Sequence, residues 1–344
     1  MPSQTPEPPA TNTQLPSRSS ASRVERNHTT HVAQTTADTA QAFTEPTTRG
    51  KVVVVTGASS GLGLQTAKQL ASHGAEIVMI VRDQTRGEQA RTQIAQLATG
   101  KPPVLMLADL SVQADIHRAA AELSDRYDRV DVLINNAGNA FNRRQQSADG
   151  LELTWATNHL APFLLTSLLL PLLTAAPAGR IVNLTTEVYS HKLDLHNLQG
   201  ERKYSWMGAY RTSKLATILF TTELARRIET TGVTAISVSP GPTRTNFGGG
   251  GPAGLMGLVF SVLKRTPLLK PADQAAASIV WAATAPELQA TPGAVYLRRK
   301  RLTLKGAATD PALAATLWEI SEQQTGTNPV LSTSAAVGPA DTES

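Results

Sequence analysis

Eight residues from Thr56 to Gly63, TGASSGLG, stand between the apolar run 52–55 and a helix-like stretch over 64–73. That order reads as a strand, a glycine turn and a helix, which lets backbone N–H groups reach a pyrophosphate at a helix N-terminus. Gly57, Gly61 and Gly63 follow the spacing T-G-x-x-x-G-x-G and not the GxGxxG of the older dinucleotide fingerprint. Three glycines alone are also what an ordinary turn needs. The turn therefore has to be weighed together with the downstream residues.

Apolar, β-branched runs at 52–56, 76–81, 104–108, 132–135, 181–185 and 234–239 read as successive strands, each followed by a helical pattern. Continuous apolar strands joined by helical crossovers predict an α/β fold. The expected architecture is a single Rossmann-like, doubly wound parallel sheet flanked by helices, with right-handed connections. Such sheets bind ligands beyond the carboxyl ends of their strands, where the strand order reverses. Gly57, Arg82, Asp109, Asn136, Thr186 and Pro240 fall at such ends or just past them and are expected to line one crevice.

The 344 residues, 41% hydrophobic and 17% charged, are enough for one large domain with a real core, placed at 50–325. Residues 1–49, rich in Thr, Ser, Pro and Gln, cannot offset the entropy of ordering and are expected to be a disordered tail, as is 326–344. A formal charge of +5 could suggest nucleic acid, but no long Lys/Arg block interleaved with aromatics is present, and nucleic-acid binding is not expected. Cysteine is absent and the seven histidines are dispersed, which removes a thiol nucleophile, a disulfide frame and CxxC zinc ligation. No metal site is expected. The tail lacks the apolar run of a signal peptide, and no span reaches the roughly 18 apolar residues of a membrane helix. A cytoplasmic protein is the expectation. The nearest approach, 160–173, is expected as a core helix or a homodimer interface.

Tyr210 and Lys214, in AYRTSK, lie one helical turn apart, so both can project into one site. Hydride transfer to a carbonyl leaves oxyanion character that an acid must quench. A free phenol, at a pKa of about 10, is a poor proton exchanger near neutrality, and a neighbouring ammonium favours its ionised form. Together with Asn135, Asn136, Ala137 and Gly138, and with the Pro240–Gly241 pair, in this order and spacing, these motifs resemble the short-chain dehydrogenase/reductase family over roughly 49–326. The phrases NHLAPFLLT from Asn158, RIVNLTTEVYS from Arg180 and TLWEISEQQTG from Thr316 look like the branch of retinol dehydrogenases and WW-domain oxidoreductases. No WW domain precedes the catalytic portion in this sequence.

The resemblance implies a role for each matching residue. Gly57, Ser59, Ser60, Gly61, Leu62 and Gly63 would cradle the pyrophosphate. Arg82, just past the second strand, would meet a 2′-phosphate, favouring NADP(H) over NAD(H), while Asp83 could instead take a ribose hydroxyl or pair with Arg82 or Arg86. Asp109 and Leu110 would touch the adenine, although Asp109 could equally cap a helix. Asn136, Ala137 and Gly138 would let the backbone pass close to the ribose, with Asn135 stitching strands. Tyr210 would be the general acid/base, Lys214 would lower its pKa and hold the nicotinamide ribose, and Asn158 would help seat a relay water. Thr186 replaces the family's serine that positions the substrate oxygen; its hydroxyl offers the same donor and acceptor, and its methyl group stiffens the rotamer. Pro240 and Gly241 would border the nicotinamide, with Thr243 or Thr245 holding the carboxamide.

The four-glycine run and the apolar AGLMGLVFSVLKR after it suggest a lid over about 246–270, a docked core helix, or a peripheral membrane contact beside Lys264 and Arg265. Tyr189, His191, Trp206 and Met207 are expected on the opposite wall. The resulting expectation is an NADP(H)-dependent alcohol dehydrogenase or carbonyl reductase for a small hydrophobic substrate. The alternative is a catalytically silent NADP(H)-binding sensor or scaffold.

Overall fold

Along β1 (Val52–Thr56), Val53 and Val55 pack into one apolar cluster while Val52 and Val54 pack into another. A strand buried on both faces has no use for polar alternation, so it reads as a continuous apolar run and needs helices on both sides. The same holds for β2 (Glu76–Val81), β4 (Val132–Asn135), β5 (Arg180–Leu184) and β6 (Thr234–Ser239), whose residues are all buried. β3 (Val104–Leu107), near the sheet edge, is only partly buried.

The computed structural model describes residues 48–243 and 271–327. Most of the two expected tails, the expected lid over about 246–270 and Thr245 lie outside the described residues. Among those described, one sheet runs in the order β3-β2-β1-β4-β5-β6-β7-β8, with β7 (Val295–Leu297) and β8 (Lys300–Arg301) completing it. All pairs are parallel except β7 with β8. The order reverses between β1 and β4, which is where a ligand crevice opens in a doubly wound sheet.

Helices α1 (Gly61–Ser72), α2 (Gln84–Ala95) and α6 (Ala272–Thr284) cover one face. Helices α3 (Gln113–Arg126), α4 (Leu153–Thr174), α5 (Trp206–Arg227) and α7 (Pro311–Thr325) contribute to the other. Thr48 is fully buried, donating to the carbonyls of Leu70 and His73, so packed structure begins slightly before the expected boundary at residue 50. At the other end Gly326 caps α7 in a left-handed conformation, φ 62°.

The structure corrects five sequence expectations. α1 begins at Gly61, inside the glycine motif, and not at residue 64. The third strand stops at Leu107, and the fifth is displaced one residue towards the N-terminus. β7 and β8 were not expected: three apolar residues followed by Arg298, Arg299, Lys300 and Arg301 make no periodic strand, and charge is what an exposed edge strand carries. Finally, α4 spans 22 residues and is long and apolar enough to cross a membrane, because a short turn and a π-helical segment extend the run 160–173 towards the N-terminus. Its most apolar window is 78% buried within the subunit, with Phe163, Leu164, Leu169 and Leu173 in the core. Most of this helix is packed within the subunit, and Leu168 and Leu172 are only partly buried.

Candidate active site

The loop from β1 to α1 forms the floor of a cleft of about 620 Å³ at the carboxyl ends of the strands. Gly57 and Gly61 take positive φ, 67° and 56°, which only glycine adopts without strain. The N-cap of α1, Ser60, makes no side-chain capping bond, so the first N–H groups of the helix face the cleft without the usual competitor. Ser59, Ser60, Gly61, Leu62 and Gly63 all line it. Gly63 has a second duty. A Cβ there would sit 2.5 Å from Asn136 Nδ2 and 2.5 Å from the Gly57 carbonyl oxygen, so this glycine lets α1 close against the end of β4.

That closure is stapled by Thr56. Its hydroxyl accepts from the N–H groups of Asn136 and Ala137, at 3.0 and 2.9 Å, and donates to the Ile134 carbonyl, while Asn136 Nδ2 donates to the Thr56 carbonyl at 2.7 Å. The Asn136 amide nitrogen therefore joins β1 to β4 across the switch point, and Asn136 also lines the cleft. Asn135 stitches strands as expected: it donates to Asn183 Oδ1 and Thr166 Oγ1, and Asn183 in turn donates to Thr221 Oγ1, which bonds Ser237. Asn135, Asn183 and Ser237 are register partners on β4, β5 and β6, so one buried polar row ties the three strands together.

Past β2, Arg82 lines the cleft together with Asp83 and Arg86. Asp83 is the N-cap of α2, accepting from the Arg86 N–H at 2.9 Å, and one carboxylate oxygen is thereby spent on the helix. Past β3, Asp109 accepts from the N–H and hydroxyl of Ser111, and its own N–H donates to Asp115, whose carboxyl is held below its usual range chiefly by that bond. Asp109 does not cap the next helix, whose N-cap is Val112; its carboxylate closes a local turn with Ser111. Asp109 and Leu110 remain cleft-lining.

Tyr210 and Lys214 project from α5, whose first turn is capped by Ser205. Lys214 Nζ lies 5.8 Å from the Tyr210 ring centroid and donates to the Leu184 carbonyl at 2.8 Å; Thr185 Oγ1 donates to the Lys214 carbonyl at 3.2 Å. Two bonds thus lock α5 to the end of β5. Burial lowers Lys214 to about 8. Tyr210 differs from expectation: burial, then the Glu187 carboxylate, push it up to about 12, and only a hydrogen bond with Thr186 pulls it down.

Asn158 does not line the cleft and sits just behind it. Its Oδ1 accepts from Asn139 N–H at 2.7 Å, and its Nδ2 donates to Asn139 O and Ser213 Oγ. Gly138 is the close neighbour of both groups: a Cβ there would lie 3.3 Å from Asn158 Oδ1 and 3.7 Å from Lys214 Nζ. Asn158 belongs to the π-helical segment Ala156–Leu160. Pro162, four residues on, has no N–H to give its carbonyl, and the Thr217 hydroxyl reaches that carbonyl only at 3.5 Å.

Pro240, Gly241 and Thr243 line the cleft from the β6 end. Of the expected opposite wall, Tyr189 is core, 5% exposed, and none of Tyr189, His191, Trp206 and Met207 is among the lining residues. Phe141, Leu153 and Thr157 line that side instead. Leu153 and Thr157 are four residues apart on α4, a signal that helical spacing could have supplied.

Comparison with known proteins agrees with this geometry. The profile of the family described as short chain dehydrogenase matches residues 51–250. Retinol dehydrogenase 14 of Mus musculus is 36% identical over 80% of this chain and 86% of its own. Retinol dehydrogenase 13 of Homo sapiens is 37% identical over 80% and 85%. A Streptomyces protein assigned by name as a daunorubicin C-13 ketoreductase is 37% identical over 80% of this chain and 93% of its own. Among solved structures, a Mycobacterium paratuberculosis protein superposes with a TM-score of 0.66 at 32% identity, covering 82% of this chain and 96% of its own.

Proposed function

The chain belongs to the short chain dehydrogenase family and is an oxidoreductase of alcohol and carbonyl groups that works with a nicotinamide dinucleotide; from that premise we propose NADP(H) as its cofactor, a hydrophobic carbonyl compound or alcohol as its substrate, and Tyr210 as its acid/base. The observation that carries the reading is convergence. An open helix N-terminus, paired guanidiniums and the Tyr210–Lys214–Thr186 cluster all meet one cleft.

The cradle fits the cofactor. The α1 N-terminus takes the pyrophosphate, with the Ser59 and Ser60 hydroxyls as further donors. Arg82 and Arg86 supply the charge-assisted contacts that a 2′-phosphate needs and a ribose hydroxyl does not. The backbone of Asn136, Ala137 and Gly138 and the turn Pro240, Gly241, Thr243 flank the remainder. When bound, the nicotinamide supplies or accepts the hydride.

Thr186 donates to the substrate oxygen beside the phenol, and Tyr210 gives that oxygen a proton in reduction or takes one in oxidation. A phenol held protonated suits the donor role. Lys214 lines the cleft, where its ammonium would hold the cofactor ribose, and Asn158, just behind it, would help seat a relay water. Phe141 and Leu153 support an apolar substrate, and relatives named for retinol and for a C-13 ketone support an alcohol/carbonyl centre.

Steady-state kinetics with NADPH and NADH test the cofactor assignment. Arg82→Ala raises KM for NADPH by about tenfold or more, the worth of one charge-assisted contact, and leaves NADH turnover nearly unchanged. Wild-type preference for NADH would overturn it.

A further inference from the structure

Phe141 lines the cleft from a stretch between β4 and α4 that is neither helix nor strand, so no ladder or helical turn fixes where its side chain stands. Its carbonyl accepts from the Tyr204 hydroxyl at 2.7 Å. The same hydroxyl lies 3.4 Å from Glu152 Oε1, and its single proton serves the shorter bond. Both oxygens of Glu152 are already given to the start of α4, accepting from the N–H groups of Thr154 and Trp155 at 2.9 and 2.8 Å. Tyr204 immediately precedes Ser205, the cap of the helix that carries Tyr210, so its bond joins the wall at Phe141 to the element that bears the phenol.

The loop has a second fastening on the same segment. Arg144 Nε donates to the Gln199 carbonyl at 2.8 Å, and the Glu152 N–H donates to Gln199 Oε1 at 2.7 Å. The Tyr204 ring is seated in turn by Gly200, which has φ 62° and where a Cβ would stand 2.8 Å from Tyr204 Cδ2. A second cavity, of about 210 Å³, opens beside the ring and is lined also by Glu152, Trp155 and Ser205. Packing thus meets the ring on the Gly200 side and leaves the hydroxyl to hold Phe141.

Resting on the reading of the cleft as the site of an apolar carbonyl compound, we propose that Tyr204 is a positioning residue for substrate selection: through the Phe141 carbonyl it holds Phe141 as a fixed apolar wall of the cleft, and so favours carbonyl compounds with a long apolar flank over short ones. A wall already in place spares the substrate the entropy of ordering the loop, whereas a loose one must be ordered at each binding event. The hydroxyl touches a backbone oxygen and not the substrate, so its effect falls on KM and not on the chemical step.

The test compares NADPH-driven reduction of decanal and of propanal by wild type, Tyr204→Phe, Phe141→Ala and the double variant. Tyr204→Phe raises KM for decanal by about three- to tenfold, the worth of one hydrogen bond, and lowers the decanal-to-propanal ratio of kcat/KM to match. Its kcat for decanal stays within about twofold of wild type. In the Phe141→Ala background the same change has no further effect, the non-additivity of a residue that acts through another. On the full chain without substrate, amide hydrogen exchange over 139–146 is faster in Tyr204→Phe than in wild type. An unmoved decanal KM in Tyr204→Phe, with Phe141→Ala impaired, would overturn the proposal and leave the substrate reading intact. Decanal and propanal handled alike by wild type and by Phe141→Ala would defeat the apolar substrate reading instead. Unchanged exchange in Tyr204→Phe overturns the tether whatever the substrate. Should circular dichroism show that Tyr204→Phe does not fold, Gly200→Ala keeps the hydroxyl and displaces the ring. A raised decanal KM then supports the proposal, and an unmoved one overturns it.

Discussion

Gly63→Ala separates two explanations of the glycine motif, because helix propensity and packing predict opposite signs. Gly63 lies in the first turn of α1, where alanine gains about 0.8–1.0 kcal/mol from propensity alone. Against this, the new methyl would stand 2.5 Å from Asn136 Nδ2 and from the Gly57 carbonyl oxygen, and 3.0 Å from the Gly57 carbonyl carbon. The carbonyl belongs to a residue already in the left-handed region and cannot swing away, so α1 must move. Overpacking of this kind costs about 1–3 kcal/mol. Displacing Asn136 also weakens its 2.7 Å bond to Thr56, worth about 0.5–1.5 kcal/mol. The balance is a net loss of about 1–3 kcal/mol. Urea denaturation reads it as a lower midpoint at unchanged slope, and NADPH fluorescence titration reads weaker binding, because the α1 N-terminus shifts away from the phosphates. A variant about 1 kcal/mol more stable, with unchanged NADPH affinity, would refute the packing role.

Two further outcomes concern other parts of the site and core. Thr186→Ser keeps kcat within a few-fold because the hydroxyl survives, whereas Thr186→Ala loses about 10²-fold or more in kcat with little change in cofactor KM. His159, buried against Trp155 and bonded to Ser321, is pushed down to about 3 by burial, from an ordinary value of 6.5. The unfolded chain therefore takes up this proton first, so the contribution to stability is complete above about pH 6.5 and is lost as pH falls towards 3. Between about pH 7 and pH 5 the loss is about 2 kcal/mol. His159→Phe, which fits the aromatic cluster of Trp155, Phe163 and Phe220, abolishes that part of the pH dependence in urea titrations; an unchanged slope with pH would count against it.

The sheet was legible in the sequence wherever a strand is buried on both faces, since burial writes itself as a continuous apolar run. β7 and β8 were not, because three residues carry no period and an exposed edge favours charge. The cleft was legible through its glycines and strand ends. What escaped was how polar groups are already spent. Asn136 and Asp83 look like ligands for a cofactor, yet Asn136 joins two strands and Asp83 caps a helix, each through a partner that only the fold brings near or orients. The environment of Tyr210 was hidden for the same reason: Ser239 lies 52 residues beyond Glu187, and parallel pairing of β5 with β6 is what brings them within a hydrogen bond. Pro162 was visible, but the π-helical turn before it was not, because its consequence falls on the carbonyl of Asn158 four residues earlier.

The central claim is that Tyr210 donates the proton that completes carbonyl reduction. Absorbance at 340 nm, tracking NADPH oxidation by wild type and Tyr210→Phe over a panel of hydrophobic aldehydes and ketones, tests it most directly. The account predicts NADPH consumption in wild type and a loss of about 10²–10⁴-fold in the variant, with NADPH affinity retained. A variant that reduces the same substrate at the wild-type rate would contradict it.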